Sequence, residues 1–123
     1  MVKRIAVAGH KGFIGSSLVA ALKKKGITAD VVEGKIEDSS TAEVLVEGCD
    51  ILYICAGVTG GAGFLEKHPR AMVGPNLTLH LYLFDACAKL GVKKVIALSS
   101  TTGYPEADHP LLESEYFAGD LHA

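Results

Sequence analysis

The sequence predicts an α/β domain with a parallel sheet of about four strands and helices on both of its faces. Three observations predict it. Short apolar runs of strand length alternate along the chain with longer runs of helical spacing, the order that right-handed crossovers and a parallel sheet require. The apolar runs give way to glycine or to small polar residues, as strand ends do in such sheets. The 123 residues hold one domain's core, and no repeat, low-complexity tract or linker-like stretch divides them.

Each element has its own warrant. Val2 to Ala8 is a short run bounded by charge and by glycine, as a strand buried on both faces should be. From Phe13 to Lys25 the residues Ile14, Leu18, Ala21 and Leu22 fall at helical spacing. Lys23-Lys24-Lys25 and then Gly26 supply the stop signals. Ile27 to Glu33 reads as the second strand and closes a β-α-β unit. Ser40-Thr41-Ala42-Glu43 has capping-box spacing and predicts a brief helix through Glu47. Asp50 to Ala56 is the third strand, followed by a turn rich in glycine, and Phe64 to Met72 is a helical segment broken at His68-Pro69.

The stretch Leu77 to Phe84 alternates apolar and polar residues, which is the strand period. Asn76 can N-cap it, however, and helix formers continue to Leu90 before Gly91. The resulting length of about fifteen residues is that of a helix. Val92 to Leu98 is the fourth strand and runs into Ser99-Ser100-Thr101-Thr102.

Composition excludes several classes. A net charge of -2 argues against a nucleic-acid groove or an anionic-membrane patch as the main surface. The apolar run at Ile5-Ala6-Val7-Ala8 is too short for a signal sequence, and no run reaches the eighteen or so residues of a membrane span. Cys49, Cys55 and Cys87 are odd in number and lie in apolar stretches, so they read as reduced core residues of a cytoplasmic protein. His68, His80, His109 and His122 share no short spacing, which argues against a metal site.

The chemistry is concentrated between Gly9 and Gly15. Gly9 lets the chain turn off a strand, Gly12 lets the backbone approach an anion, and Gly15 lets the next helix pack closely. That helix would point its first N–H groups at a phosphate. Glu33, ending the next strand 24 residues after Gly9, is placed to accept the ribose hydroxyls of an adenosine. A nucleoside-triphosphate P-loop is excluded, because no Gly-Lys-Ser/Thr ending occurs. The expectation is a Rossmann-like three-layer α/β/α dinucleotide-binding domain of sheet order 2-1-3-4. Its four strand ends, at Gly9, Glu33, Ala56-Gly57 and Ser99-Ser100, are expected to converge on one crevice.

These residues resemble the extended short-chain dehydrogenases, the family of nucleotide-sugar epimerases, dehydratases and reductases. Gly9-His10-Lys11-Gly12-Phe13-Ile14-Gly15-Ser16 is similar to the family's glycine motif. Tyr53 to Gly61 resembles its strand-end segment, Asn76-Leu77 its asparagine-led helix, and Val92 to Ser100 with Gly103-Tyr104-Pro105 its double-serine segment. The likeness covers residues 2 to about 116 and is greatest to the GDP-fucose synthase, or epimerase-reductase, branch.

The resemblance implies roles. Gly9, Gly12 and Gly15 would cradle a pyrophosphate, with backbone N–H groups from Phe13 and Ile14. Ala56 and Gly57 would lie against the adenosine side of the cofactor, where a larger side chain would not fit. Asn76 would support the site, and Ser100, with Thr101 beside it, would orient a sugar hydroxyl or carbonyl. The implied chemistry is hydride transfer between a nicotinamide and a sugar carbon, the partners being NAD or NADP and a nucleotide sugar. Glu33 would repel a 2′-phosphate and favours NAD, although Lys11 and Lys35 could reach that group.

The larger departure is that the family's Tyr-x-x-x-Lys pair is missing. Tyr116 is followed four residues later by Asp120, and no lysine or arginine occurs after Lys94. The expectation is therefore one NAD(P)-binding domain over residues 1–123, cut before the catalytic pair and catalytically incomplete. An uncovered strand edge at Val95 and Ile96 would favour self-association. The alternative is a noncatalytic NAD(P)-binding sensor or regulatory module. A relic without binding is a third possibility.

Overall fold

The structure is a computed structural model that describes residues 4–31 and 36–119. The elements in chain order are β1 (Ile5–Ala8), α1 (Phe13–Lys24), β2 (Ala29–Val31), α2 (Ser39–Val46), β3 (Ile51–Ile54), α3 (Ala62–Lys67), α4 (Val73–Leu90) and β4 (Lys94–Ala97). All strand pairs are parallel and the order is β2-β1-β3-β4, as expected. The register places Val7 beside Val31 and Tyr53, and Tyr53 beside Ile96.

Strand alternation divides the core into two layers. Ile5 and Val7 face α1 and pack with Leu22, Leu18 and Val19. Ala6, Leu52 and Ile54 face the other way, against Leu45 and Val46 of α2 and Leu83 and Ala86 of α4. The alanines of β1 and the cysteine of α4 are small enough to let these helices lie close on the sheet. Arg4 ties the edge opposite the strand ends: its Nε donates to Asp30 Oδ2 at 2.7 Å, and its guanidinium also reaches the Glu47 carbonyl.

The ambiguous stretch is helical for a reason visible in its burial. Leu79 and Leu83 sit four residues apart on the core face of α4, whereas Leu77 and Leu81 are each 66% exposed. The apparent alternation is thus two helical rows, one buried and one facing solvent.

Two local expectations are corrected. The cap of α2 is Asp38 rather than Ser40: its Oδ1 accepts from the Thr41 N–H at 2.8 Å and from the hydroxyls of Ser40 and Thr41. A carboxylate is an excellent acceptor at a helix start, and these bonds hold its pKa below the ordinary value, the Thr41 N–H first among them. Asn76 is not a cap either. The helix begins at Val73, and Pro75 is tolerated in its first turn because no intrahelical bond is required of its nitrogen there. Gly91, with φ 71, ends the helix as expected.

Candidate functional site

Two clefts open at the carboxyl ends of the strands. The larger, of about 780 Å³, is floored by Gly9, Gly12, Cys55, Ala56 and Gly57. Its walls are Ile36 and Glu37 ahead of α2, Val58 after β3, and Pro75, Thr78 and Leu79 of α4.

Its floor is made of backbone in close contact. Gly9 has φ 84, and a Cβ there would overlap the backbone of Cys55 and Ala56, so this position needs glycine on two counts. Gly15 is buried, and a Cβ on it would fall on the Gly9 carbonyl, so it permits α1 to pack on the glycine loop itself. Gly12 is the N-cap of α1 and its N–H donates to the Gly9 carbonyl at 3.0 Å. No side chain caps this helix and no acidic residue stands in its first turn. The N–H groups of Phe13, Ile14 and Gly15 therefore have no intrahelical acceptor, the arrangement that receives an anion. The Phe13 side chain is 91% exposed and that of Ile14 52%, so these two contribute backbone, not packing.

Asn76 acts by clamping the cleft wall. Its Oδ1 accepts from the Val58 N–H at 2.7 Å and its Nδ2 donates to the Val58 carbonyl at 3.0 Å. This closes both main-chain groups of Val58 and fixes the turn after β3. A Cβ on Gly57 would make only ordinary contact with Asn76 Oδ1, at 3.4 Å, so any size limit at Gly57 comes from a ligand. Cys55 is half-buried in the cleft floor, and burial pushes its thiol pKa up. Cys87, behind the sheet, is pushed up to about 11, by burial first and then by Cys49.

The smaller cleft, of about 460 Å³, is lined by Ser99, Ser100, Thr101, Tyr104, Glu113 and Tyr116. Here side chains do the building. The Tyr116 hydroxyl meets Ser99 Oγ and lies 3.3 Å from the Ser100 carbonyl. Its ring stacks edge-on with Tyr104 at 4.8 Å and covers the buried Gly103, where a Cβ would collide with it. The Phe117 N–H donates to the Gly103 carbonyl at 2.9 Å, which pins the returning chain.

The expected residues are thus divided. Gly9, Gly12, Ala56 and Gly57 meet in the larger cleft, with Gly15, Phe13 and Ile14 at its helix start and Asn76 behind its wall. Lys11 is exposed on the glycine loop. Ser100 and Thr101 line the smaller cleft. The 101–117 segment folds back beside the end of β4, where the Tyr116 hydroxyl meets Ser99, and both Ser99 and Ser100 stay exposed. Glu33 and Lys35 lie outside the described residues.

Sequence reasoning did not find Ile36, Glu37 or Leu79 as cleft residues, nor Glu113 or Tyr116. An apolar residue beside the α2 cap was a usable signal for the first group. Nothing local announces that Tyr116 reaches Ser99. Among the described residues no group of histidine, cysteine or carboxylate could hold a metal, and no helix is long and apolar enough to cross a membrane.

A doubly wound parallel sheet with a glycine loop and uncapped helix start over its first strand defines the class of Rossmann-like domains. Residues 5–121 match the NAD dependent epimerase/dehydratase family, and the chain belongs to it. It is 30% identical to GDP-L-fucose synthase 1 of Arabidopsis thaliana over 125 residues, which cover 96% of this chain and 39% of that protein. Among solved structures, a GDP-6-OMe-4-keto-L-xylo-heptose reductase from Campylobacter jejuni superposes with a TM-score of 0.83 at 26% identity, covering 98% of this chain and 36% of that one. A GDP-mannoheptose C4 reductase from the same organism, with NADP bound, gives 0.83 at 25%, covering 98% and 38%. The chain therefore spans under two fifths of the length of these relatives.

Proposed function

We propose that this chain is the dinucleotide-binding portion of a nucleotide-sugar epimerase, dehydratase or reductase, which passes hydride between a nicotinamide and a sugar carbon. The observation that carries the reading is the larger cleft, where Gly9 and Gly12 meet the uncapped start of α1 opposite Ala56 and Gly57. A pyrophosphate fits that floor because backbone N–H groups converge there without a side chain to fill the space. The nicotinamide would supply the hydride carrier. Ser100 and Thr101, at the smaller cleft, would orient the sugar.

Family membership and relatives support NAD or NADP as cofactor, and Glu33 tilts the choice to NAD. Within these 123 residues no Tyr-x-x-x-Lys pair is present to move the sugar proton. The 123-residue chain is accordingly expected to bind dinucleotide more weakly than micromolar and not to turn over. Fluorescence titration with NADH and NADPH, alongside an assay for sugar-dependent oxidation of either, checks both halves. Turnover would refute the second half, and flat titrations at millimolar cofactor would refute the first.

The second reading is a noncatalytic dinucleotide sensor or regulatory module, which micromolar affinity in this chain would support.

A further inference from the structure

We propose that the smaller cleft takes the uncharged ring of a sugar and rejects an acidic one, with Glu113 as the residue that makes the choice. The proposal rests on the reading above, in which Ser100 and Thr101 orient the sugar, and adds to it a residue and a class of ring.

Glu113 reaches the cleft through the geometry of its turn. Glu113–Glu115 is a single 3-10 turn, closed by the Tyr116 N–H donating to the Glu113 carbonyl at 3.2 Å. Side chains three residues apart in such a turn stand one above the other, so Glu113 shares the face of Tyr116. Tyr116 is fixed in the cleft by Ser99 and the Ser100 carbonyl, and Glu113 lines the same cleft. Glu115 is committed elsewhere, 3.0 Å from His109 Nε2 and accepting from the Leu112 N–H at 2.7 Å. The Glu113 carboxylate, by contrast, has no hydrogen-bond or ion-pair partner among the described residues.

The rest of the lining decides what that carboxylate can receive. Ser99, Ser100 and Thr101 bring hydroxyls, which donate and accept, and Tyr104 and Tyr116 bring aromatic rings. Among the described residues no lysine, arginine or histidine lines the cleft. A carboxylate only accepts, so it suits a ring that presents neighbouring hydroxyls, while the tyrosines take the ring's C–H side. A carboxylate on the ligand would meet one anion and no cation, and would be repelled. The larger cleft is the opposite case, since the uncapped start of α1 favours negative charge there.

The 123-residue chain, isotope-labelled, would be titrated at constant ionic strength with methyl α-D-glucopyranoside and with methyl α-D-glucopyranosiduronate. The two carry a hydroxymethyl and a carboxylate group on the same ring. Amide shifts of Ser99, Ser100, Gly103 and Tyr104 report the smaller cleft. The unaltered chain is expected to bind the neutral glycoside about fivefold more tightly, the scale of two like charges a few ångströms apart in water. Glu113→Gln keeps the length and one acceptor and should bring the two affinities within about twofold, chiefly by raising that of the uronate. A gain of binding is a result that loss of the fold would not produce.

Equal affinities in the unaltered chain, or a ratio that Glu113→Gln leaves in place, overturn the proposal while the sugar reading of the cleft stands. Cleft amides that neither glycoside moves overturn both. The dinucleotide reading fails separately, when NADH leaves the amides of Gly9 and Gly12 unmoved.

Discussion

At the larger cleft the glycine loop touches Ala56 through backbone alone, whereas at the smaller cleft Ser99 meets Tyr116 through side chains 17 residues apart. The first site rests on β1 and β3, the most deeply buried strands, with Val7 and Leu52 fully enclosed. The second rests on the edge strand β4 and a returning segment whose residues are mostly exposed. A site built from backbone constrains which residues can be present. A site built from side chains constrains only which ones meet. The first should therefore fail globally when altered, and the second locally.

The largest expected effect tests the backbone side. Gly15→Val would force a branched side chain onto the Gly9 carbonyl, which must shift the glycine loop or α1. Overpacking of this kind costs about 3 kcal/mol, or roughly 10 °C in melting temperature for a domain of this size. Gly74→Ala is the matched control: nothing lies within 4 Å of the added Cβ, and the site is in the first turn of α4. It should hold or raise the melting temperature. Equal melting of the two variants would break the claim that the glycine loop is sterically closed.

A smaller effect is expected from Tyr116→Phe. It keeps the ring over Gly103 and against Tyr104 but removes the hydroxyl that meets Ser99 and Ser100. The cost should be about 1 kcal/mol, with faster amide exchange confined to residues 101–117. Dinucleotide affinity at the larger cleft should not move. A fall in that affinity would show that the two clefts are one unit and would end the comparison.

The same contrast explains what the sequence made legible. Gly9, Gly12 and Gly15 could be read because each answers a steric demand that no other residue meets, and steric demands leave a composition. The helix at Val73–Leu90 could be read from its length and its stop, although its rows of leucine imitate a strand. Asp38 was hidden by a capping-box pattern that starts two residues later, since Ser40 and Asp38 are both good caps and only the helix start decides between them. The meeting of Tyr116 with Ser99 could not be read at all. It depends on where Tyr116 lands after a loop with no periodic pattern, and that is a tertiary fact.

The smallest predicted effect concerns the loop that carries Tyr116. His109 Nε2 lies 3.0 Å from Glu115 Oε1 and its Nδ1 lies 3.4 Å from Asp108, while Glu115 also accepts from the Leu112 N–H at 2.7 Å. The Glu115 carboxylate, and then Asp108, raise the His109 pKa above its ordinary 6.5. The Leu112 N–H, and then His109, lower that of Glu115 below its ordinary 4.5. The histidine's share of loop stability is complete below 6.5 and is lost as pH rises through its raised value. The carboxylate's share is complete above 4.5 and is lost as pH falls through its lowered value. Protection of residues 108–117 from amide exchange, corrected for intrinsic rates, should therefore peak between pH 4.5 and 6.5 and decline on both sides. Both groups are on the surface, so the change should be small and should shrink in high salt. His109→Ala should flatten the alkaline side and leave part of the acid side, because the Leu112 N–H still favours ionised Glu115. Exchange that follows the same pH course in the variant would remove this clasp as the reason Tyr116 stays on Ser99.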